Sequence, residues 1–172
     1  MSDNDLDYFQ YLSTRTKLGL FYRENILYPK IVKRFKGKVL DYGCGIGDML
    51  SFFKGSIGVD INKHCVDYCQ SQQLDALVLG QGGEIPFPNN SFDSVLMDNV
   101  LEHIENPEPL LKEIIRVLKV DGNLIIGVPG VLGYTKDPDH KIFYDKDNLN
   151  QLMCSEMGLH LEEWFYSPFW FP

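Results

Sequence analysis

Three glycines alternate with Cys44 and Ile46 in the stretch from Lys38 to Leu50, KVLDYGCGIGDML, and the spacing is that of a main chain meant to be approached closely. Without a Cβ, Gly43, Gly45 and Gly47 expose bare backbone, and they end the strand that Val39 and Leu40 begin. From Asp48 onward, Met49, Leu50, Phe52 and Phe53 recur at helical spacing, so the free N–H groups of a helix start face back over the loop. A dinucleotide fingerprint, G-x-G-x-x-G, would need its third glycine at Asp48 counting from Gly43, or at Leu50 counting from Gly45; neither is glycine. An anionic Asp48 at the helix start repels a pyrophosphate but suits a ligand that carries positive charge and an amino group. A tight strand-to-helix turn with no ligand is the plainer use of one such glycine, and three in five residues argue against it.

Other residue types add to this chemistry. Asp60 lies thirteen residues beyond Gly47, at the C-terminal end of the next strand, where open α/β sheets place groups that contact a ribose. His103 follows a later strand and His140 the loop after the strand beyond it, both at the ligand edge of a parallel sheet. Imidazole is the side chain best tuned to take a proton near neutrality, so both are candidate general bases, although a histidine after a strand is often structural.

The elements that must position these groups read as strand, helix, strand, helix, strand, loop, strand, helix, strand. Strands are expected over Val39–Leu40, Ser56–Asp60, Ala76–Leu79, Phe92–Met97 and Asn123–Val128, with Leu159–Tyr166 as a sixth. Asn62 is a good N-cap for the helix that carries Val66 and Cys69. Asn106 is expected to cap, and Pro107 to open, an amphipathic helix through Leu110, Leu111, Ile114, Ile115, Val117 and Leu118 that Gly122 ends. Asp145 or Asp147 starts a last helix that Gly158 stops. This order calls for a doubly wound, mostly parallel α/β sheet with right-handed crossovers. Residues 1–36 read as an N-terminal helical cap interrupted by Pro29 and lying across the ligand site; residues 37–172 form the core of a single domain.

With 172 residues the chain can bury one normal core, and 44% hydrophobic with 23% charged residues is ordinary for a globular protein. A formal charge of −8 opposes binding to phosphate backbones, so nucleic acid is not an expected partner. No run is long and apolar enough to span a membrane and the N-terminus is acidic, so a cytoplasmic location is expected. Cys44, Cys65, Cys69 and Cys154 form no C-x-x-C pair and read as reduced and structural.

The glycine spacing favours S-adenosylmethionine over NAD, and D-x-G-C-G-x-G after an apolar strand resembles motif I of the class I S-adenosylmethionine-dependent methyltransferases. The block IPFPNNSFDSVLMDNVLEHIENPEPLLKEIIRVLKVDGNLIIGVPG resembles the matching block of the type 11, small-molecule group, and the likeness runs from about Lys38 to Tyr166. It implies a Rossmann-like fold whose last antiparallel strand is shortened or missing here, and S-adenosylmethionine as cofactor. It also implies methionine contacts from Asp41, Gly43, Cys44, Gly45 and Asp98, ribose contacts from Asp60, and adenine packing on Ile61. Gln81, beside Gly82, stands where the family places an Asp for the adenine amino group. Some quinone and RNA methyltransferases hold a divalent ion with E-x-x-E-H and a distant His. Glu102, His103 and His140 match, but Asn99 replaces the first Glu, and no metal is expected. The implied acceptor is a small molecule, lipid- or sugar-linked among the choices, and Phe143, Tyr144, Trp164 and Trp170 are candidates to line its pocket. The competing expectation is a cofactor-binding module without activity, with a homodimer through the C-terminal edge as the partner of either.

Overall fold

The computed structural model describes residues 6, 8–10, 12, 14 and 17–167, with the Gln81 side chain excepted. Five strands, β1 (Val39–Tyr42), β2 (Ile57–Asp60), β3 (Ala76–Val78), β4 (Phe92–Asp98) and β5 (Leu118–Gly127), form one sheet in the order β3-β2-β1-β4-β5. All four pairings are parallel; Leu40 stands opposite Ile57 on one side and Val95 on the other. The order reverses between β1 and β4, so the C-terminal ends of these two strands splay their connections apart and open a crevice there.

Successive side chains of a strand point to opposite faces, and the core divides accordingly. On one face Leu40, Val59, Val95 and Met97 pack with Leu111, Ile114 and Val117 of the helix Glu108–Val117 and with Leu149. On the other, Leu96 and Ile125 meet Tyr28, Ile31 and Met49. A third cluster joins Leu50, Val66, Cys69, Leu74 and Ala76. The first helical stretch runs α-helix Lys17–Tyr22, π-turn Arg23–Leu27, α-helix Tyr28–Val32. The switch from π to α falls at Tyr28, directly before Pro29, whose missing N–H and ring interrupt the regular i→i−4 ladder of a continuous α-helix.

Several boundaries differ from the sequence reading. Asn106 does not cap: Pro107 itself occupies the N-cap position, with φ −78° and ψ −13°, and the helix starts one residue later than expected, at Glu108. That helix ends at Val117, before Gly122, because Leu118 turns extended and pairs with Phe92. Asn123 then pairs with Ser94, so Lys119–Gly122 form an excursion within β5. Asp145 is the N-cap of the helix Lys146–Asn150, with a full capping box to Asn148, and a π-turn, Gln151–Glu156, extends it.

The expected sixth strand, Leu159–Tyr166, is not a strand; residues 159–167 have no regular structure. The alternation of strand side chains is nonetheless there. Trp164 packs into the cluster on one face of the sheet and Phe165 into the cluster on the other. Side chains rather than a ladder fix the segment: Arg34 pairs with Glu163 and stacks over Phe165, and Tyr22 bonds Ser167. The aromatic tail with Trp170 lies outside the described residues.

Candidate cofactor cleft and acceptor-side cluster

The loop after β1 has the backbone that its glycines permit. Gly43, Gly45 and Gly47 hold φ of +76°, +52° and +82°, in the region L side chains rarely enter. Their surroundings differ. A Cβ on Gly43 would overlap Val100, and one on Gly47 would lie 2.7 Å from Leu74 Cδ1 and 2.9 Å from Cys69 Sγ. At Gly45 it would meet only Leu12, at 3.2 Å. Gly43 and Gly47 are therefore required by packing within the protein, while Gly45, which lines the cleft, has only Leu12 over its Cα.

Asp60 ties this loop to β2. It is 6% exposed; its Oδ2 accepts from Gly45 N at 2.8 Å and its Oδ1 from Asn62 N at 2.8 Å. Burial raises its pKa against the backbone N–H groups of Asn62, Gly45 and Ile61, which favour the charge. Three N–H groups on about four lone-pair sites leave capacity for a ribose hydroxyl. Ile61, next to it, is 77% exposed, an open apolar surface at the mouth of the site.

Four carboxylates gather around the crevice. Asp41, 4% exposed at the heart of β1, has a pKa pushed up to about 8, first by burial and then by Asp98, Asp60 and Asp48. Asp98 ends β4 in room that Gly127 provides, since a Cβ there would overlap its Oδ1. Arg23 reaches across from the π-turn, its Nη1 3.4 Å from Asp98 Oδ2 and 3.5 Å from the Tyr28 hydroxyl. The crevice is lined by Asp41, Gly43, Cys44, Gly45, Asp48 and Asp98, with Arg23, Tyr28 and Asn99 opposite. Five of the expected cofactor residues thus share one cleft. Asp60 touches it through Gly45, and Gly82, at φ +76° in the turn Gln81–Gly83, has open space around its Cα. The Gln81 side chain, expected at the adenine, is outside the described structure. Cys44 is buried beside Cys69, whose hydrogen bond, together with burial, raises its pKa and keeps the thiol protonated.

The sequence reading missed Arg23, Asn99 and Gly127. Arg23 carries no local motif. Asn99 has φ +56°, and asparagine, which tolerates that region, is its only sequence signal. A glycine at the end of an apolar strand signals close approach, which is what Gly127 allows.

The acceptor-side histidines come together from two loops. His103 ends the turn Leu101–His103 after β4, and its ring centroid is 4.7 Å from that of His140. His140 Nδ1 lies 2.8 Å from the Tyr134 carbonyl, and the Tyr134 ring stacks on the imidazole at 5.2 Å. Burial, then His140, lowers the His103 pKa, so its ring is neutral at pH 7. Beside them Glu102 is fully buried, and burial pushes its pKa up to about 7. Of the aromatic pocket candidates, Phe143 packs edge-on against Tyr134, whereas Tyr144 and Trp164 belong to the core; apolar packing within the fold claims their surfaces.

Residues 40–126 match the type 11 family described as Methyltransferase domain. The chain belongs to that family, within the class I S-adenosylmethionine-dependent methyltransferases. An uncharacterised protein of Methanocaldococcus jannaschii is 33% identical over 142 residues, covering 74% of this chain and 61% of its own length. The ubiquinone/menaquinone biosynthesis C-methyltransferase UbiE of Vibrio cholerae is 28% identical over 103 residues, 52% of this chain and 40% of its own length. Among solved structures, a SAM-dependent methyltransferase of Thermotoga maritima, described as a possible histamine N-methyltransferase, superposes with a TM-score of 0.61 at 26% identity. That match covers 80% of this chain and 79% of the other. The chain thus spans about half the length of several curated relatives that it matches, 45% and 40% in two cases. No helix among the described residues is long and apolar enough to cross a membrane.

Proposed function

We propose that this chain transfers the methyl group of S-adenosylmethionine to a small-molecule acceptor, with lipid- and sugar-linked compounds among the candidates. The observation that carries this reading is the acidic crevice built on a glycine loop: Asp41, Asp48 and Asp98 line a cleft to which Gly43 and Gly45 contribute their main chain. The cofactor's sulfonium and ammonium groups are cations, and its methyl is already electrophilic when bound. The residues fit that group in sign and in shape.

The chain's own work is then to hold and align. Gly45 lets the methionine part lie on the main chain, Asp41 and Asp98 face its positive charge, and Asp60 accepts from a ribose hydroxyl with its remaining capacity. Ile61 covers the adenine, and Gln81 and Gly82 close that end. Arg23 and Tyr28, from the N-terminal helix, close the crevice over Asp98 and exclude water, which would otherwise compete as an acceptor. His103 and His140, on the loops after β4 and β5, are the polar groups that meet the acceptor.

Calorimetric titration with S-adenosylhomocysteine tests the cofactor assignment: micromolar, one-to-one binding is expected, and absence of binding overturns it. Turnover of labelled methyl groups onto quinone and sugar precursors then tests the acceptor class. Binding without turnover on any acceptor, together with an obligate complex in gel filtration, favours a non-catalytic module instead.

A further inference from the structure

Glu102 is the least explained residue of the molecule. It is 0% exposed, and among the described residues neither Oε1 nor Oε2 has a hydrogen-bond partner. A buried carboxylate without donors is strongly unfavourable, and such groups are either protonated or face a cation. A carbonyl oxygen only accepts, so His140 must donate Nδ1–H to Tyr134, and its other nitrogen, Nε2, lies 3.8 Å from Glu102 Oε1 and 3.9 Å from Asp137 Oδ2. The His103 ring packs against the His140 ring, with centroids 4.7 Å apart, and offers a nitrogen to the same space. One ligand atom from each of Glu102, His103 and His140 lies within 4.8 Å of the others.

Two features separate a shared cation from a shared proton. A carboxyl group donating to Nε2 would approach to about 2.7–3.0 Å, and 3.8 Å is too long for that bond. It is instead the span between two ligands that each sit about 2.0–2.2 Å from one ion. The Tyr134 carbonyl on the far nitrogen of His140 is also the usual outer support of a metal-binding histidine, since it fixes both tautomer and ring orientation.

We propose that Glu102, His103 and His140 bind one divalent cation of the borderline type, Zn²⁺ or Mn²⁺, in preference to Mg²⁺. Two imidazoles and one carboxylate suit such ions, whereas Mg²⁺ demands hard oxygen ligands in an octahedron. Three protein ligands leave positions open to a water or an acceptor oxygen, and an ion so placed acidifies that oxygen. The two histidines are then ligands rather than free bases, and the ion takes over the task expected of them. Closing Glu102 and His103 onto His140 also pins the loop from Pro129 to Lys141 to the end of β4, at the acceptor side of the cleft.

The test does not depend on the cofactor reading. The whole chain is stripped with a chelator and dialysed, and its thermal unfolding is followed with Zn²⁺, Mn²⁺ or Mg²⁺ added alone, beside measurement of bound metal in the untreated protein. Zn²⁺ or Mn²⁺ at a hundredfold excess over Kd should raise Tm by about 5 °C, with one ion bound per chain and no rise with Mg²⁺. The rise should vanish in Glu102→Gln and in His140→Ala but persist in His160→Ala, an exposed histidine elsewhere. The proposal is overturned if neither ion raises Tm, if Mg²⁺ does so equally, or if Glu102→Gln responds as the wild type does. Should one variant fail to fold, the other and the metal content of the untreated protein decide. S-adenosylhomocysteine titration of the same stripped sample separates the two readings: metal binding without nucleoside binding retains this site and removes the cofactor assignment, and the converse does the reverse.

Discussion

The two halves of the candidate site, the crevice and the cluster of Glu102, His103 and His140, are built by different means. On the β1–β2 side, one continuous stretch from Asp41 to Asp48 supplies the cradle, and its shape is set by backbone conformation at Gly43, Gly45 and Gly47. On the β4–β5 side, Glu102 and His103 meet His140, the two histidines thirty-seven positions apart in sequence, and side chains alone define the cluster. The first half is a local property of the chain. The second exists only because β5 lies beside β4 and returns its following loop to the end of that strand. Backbone sites are thus robust to change in distant residues, and side-chain sites depend on the packing of everything between their parts.

The largest effect that would sharpen this contrast is at Gly45. Gly45→Val should lower S-adenosylhomocysteine affinity more than a hundredfold in calorimetry, with a modest fall in Tm from the positive φ alone. Gly47→Ala should do the opposite, lowering Tm first, because its Cβ runs into Leu74 and Cys69. Wild-type affinity in Gly45→Val would break the assignment of the loop as cradle.

A smaller effect is expected at Asp60. Asp60→Ala leaves Gly45 N and Asn62 N without an acceptor and should weaken cofactor binding by about 1–3 kcal/mol. Unchanged affinity would remove Asp60 from the ribose site and leave it a loop brace only.

The smallest effect is a pH dependence from Asp41. Its folded pKa of about 8 stands above the ordinary 3.8, so the folded chain keeps a proton that the unfolded chain releases. Its contribution therefore favours the folded state at low pH, and stability falls as pH rises from about 4 to 8. A cationic ligand draws the pKa down, so binding near pH 7 should release a proton and tighten toward pH 8. Calorimetry in buffers of different ionisation enthalpy reads that release, and Asp41→Asn should abolish it. A release unchanged in Asp41→Asn would assign the proton to another group.

Much of the fold was legible because its signals are local. Asn62 caps from one side chain, accepting from His64 N and Cys65 N, and Val95–Leu96–Met97 reads as a doubly covered strand from its apolar run alone. The sixth strand failed for the converse reason: alternation in Trp164 and Phe165 records burial on two faces, and burial does not require a ladder. Asn106 failed because Pro107 already supplies a fixed φ at the helix entry, and the choice between the two positions turns on a single residue.

By itself, then, the sequence determined the order of strands and helices, the conformation of the glycine loop and the sign of charge around it, since each follows from residue types within a few positions of one another. Tertiary structure alone decided that Arg23 closes on Asp98 and that Gly127 makes room for that carboxylate. It also decided that Glu102, without a hydrogen-bond partner among the described residues, lies beside two histidines. These are convergences of side chains from elements distant in sequence, and the distance between such groups is fixed by how the sheet is stacked and crossed, which no local spacing encodes.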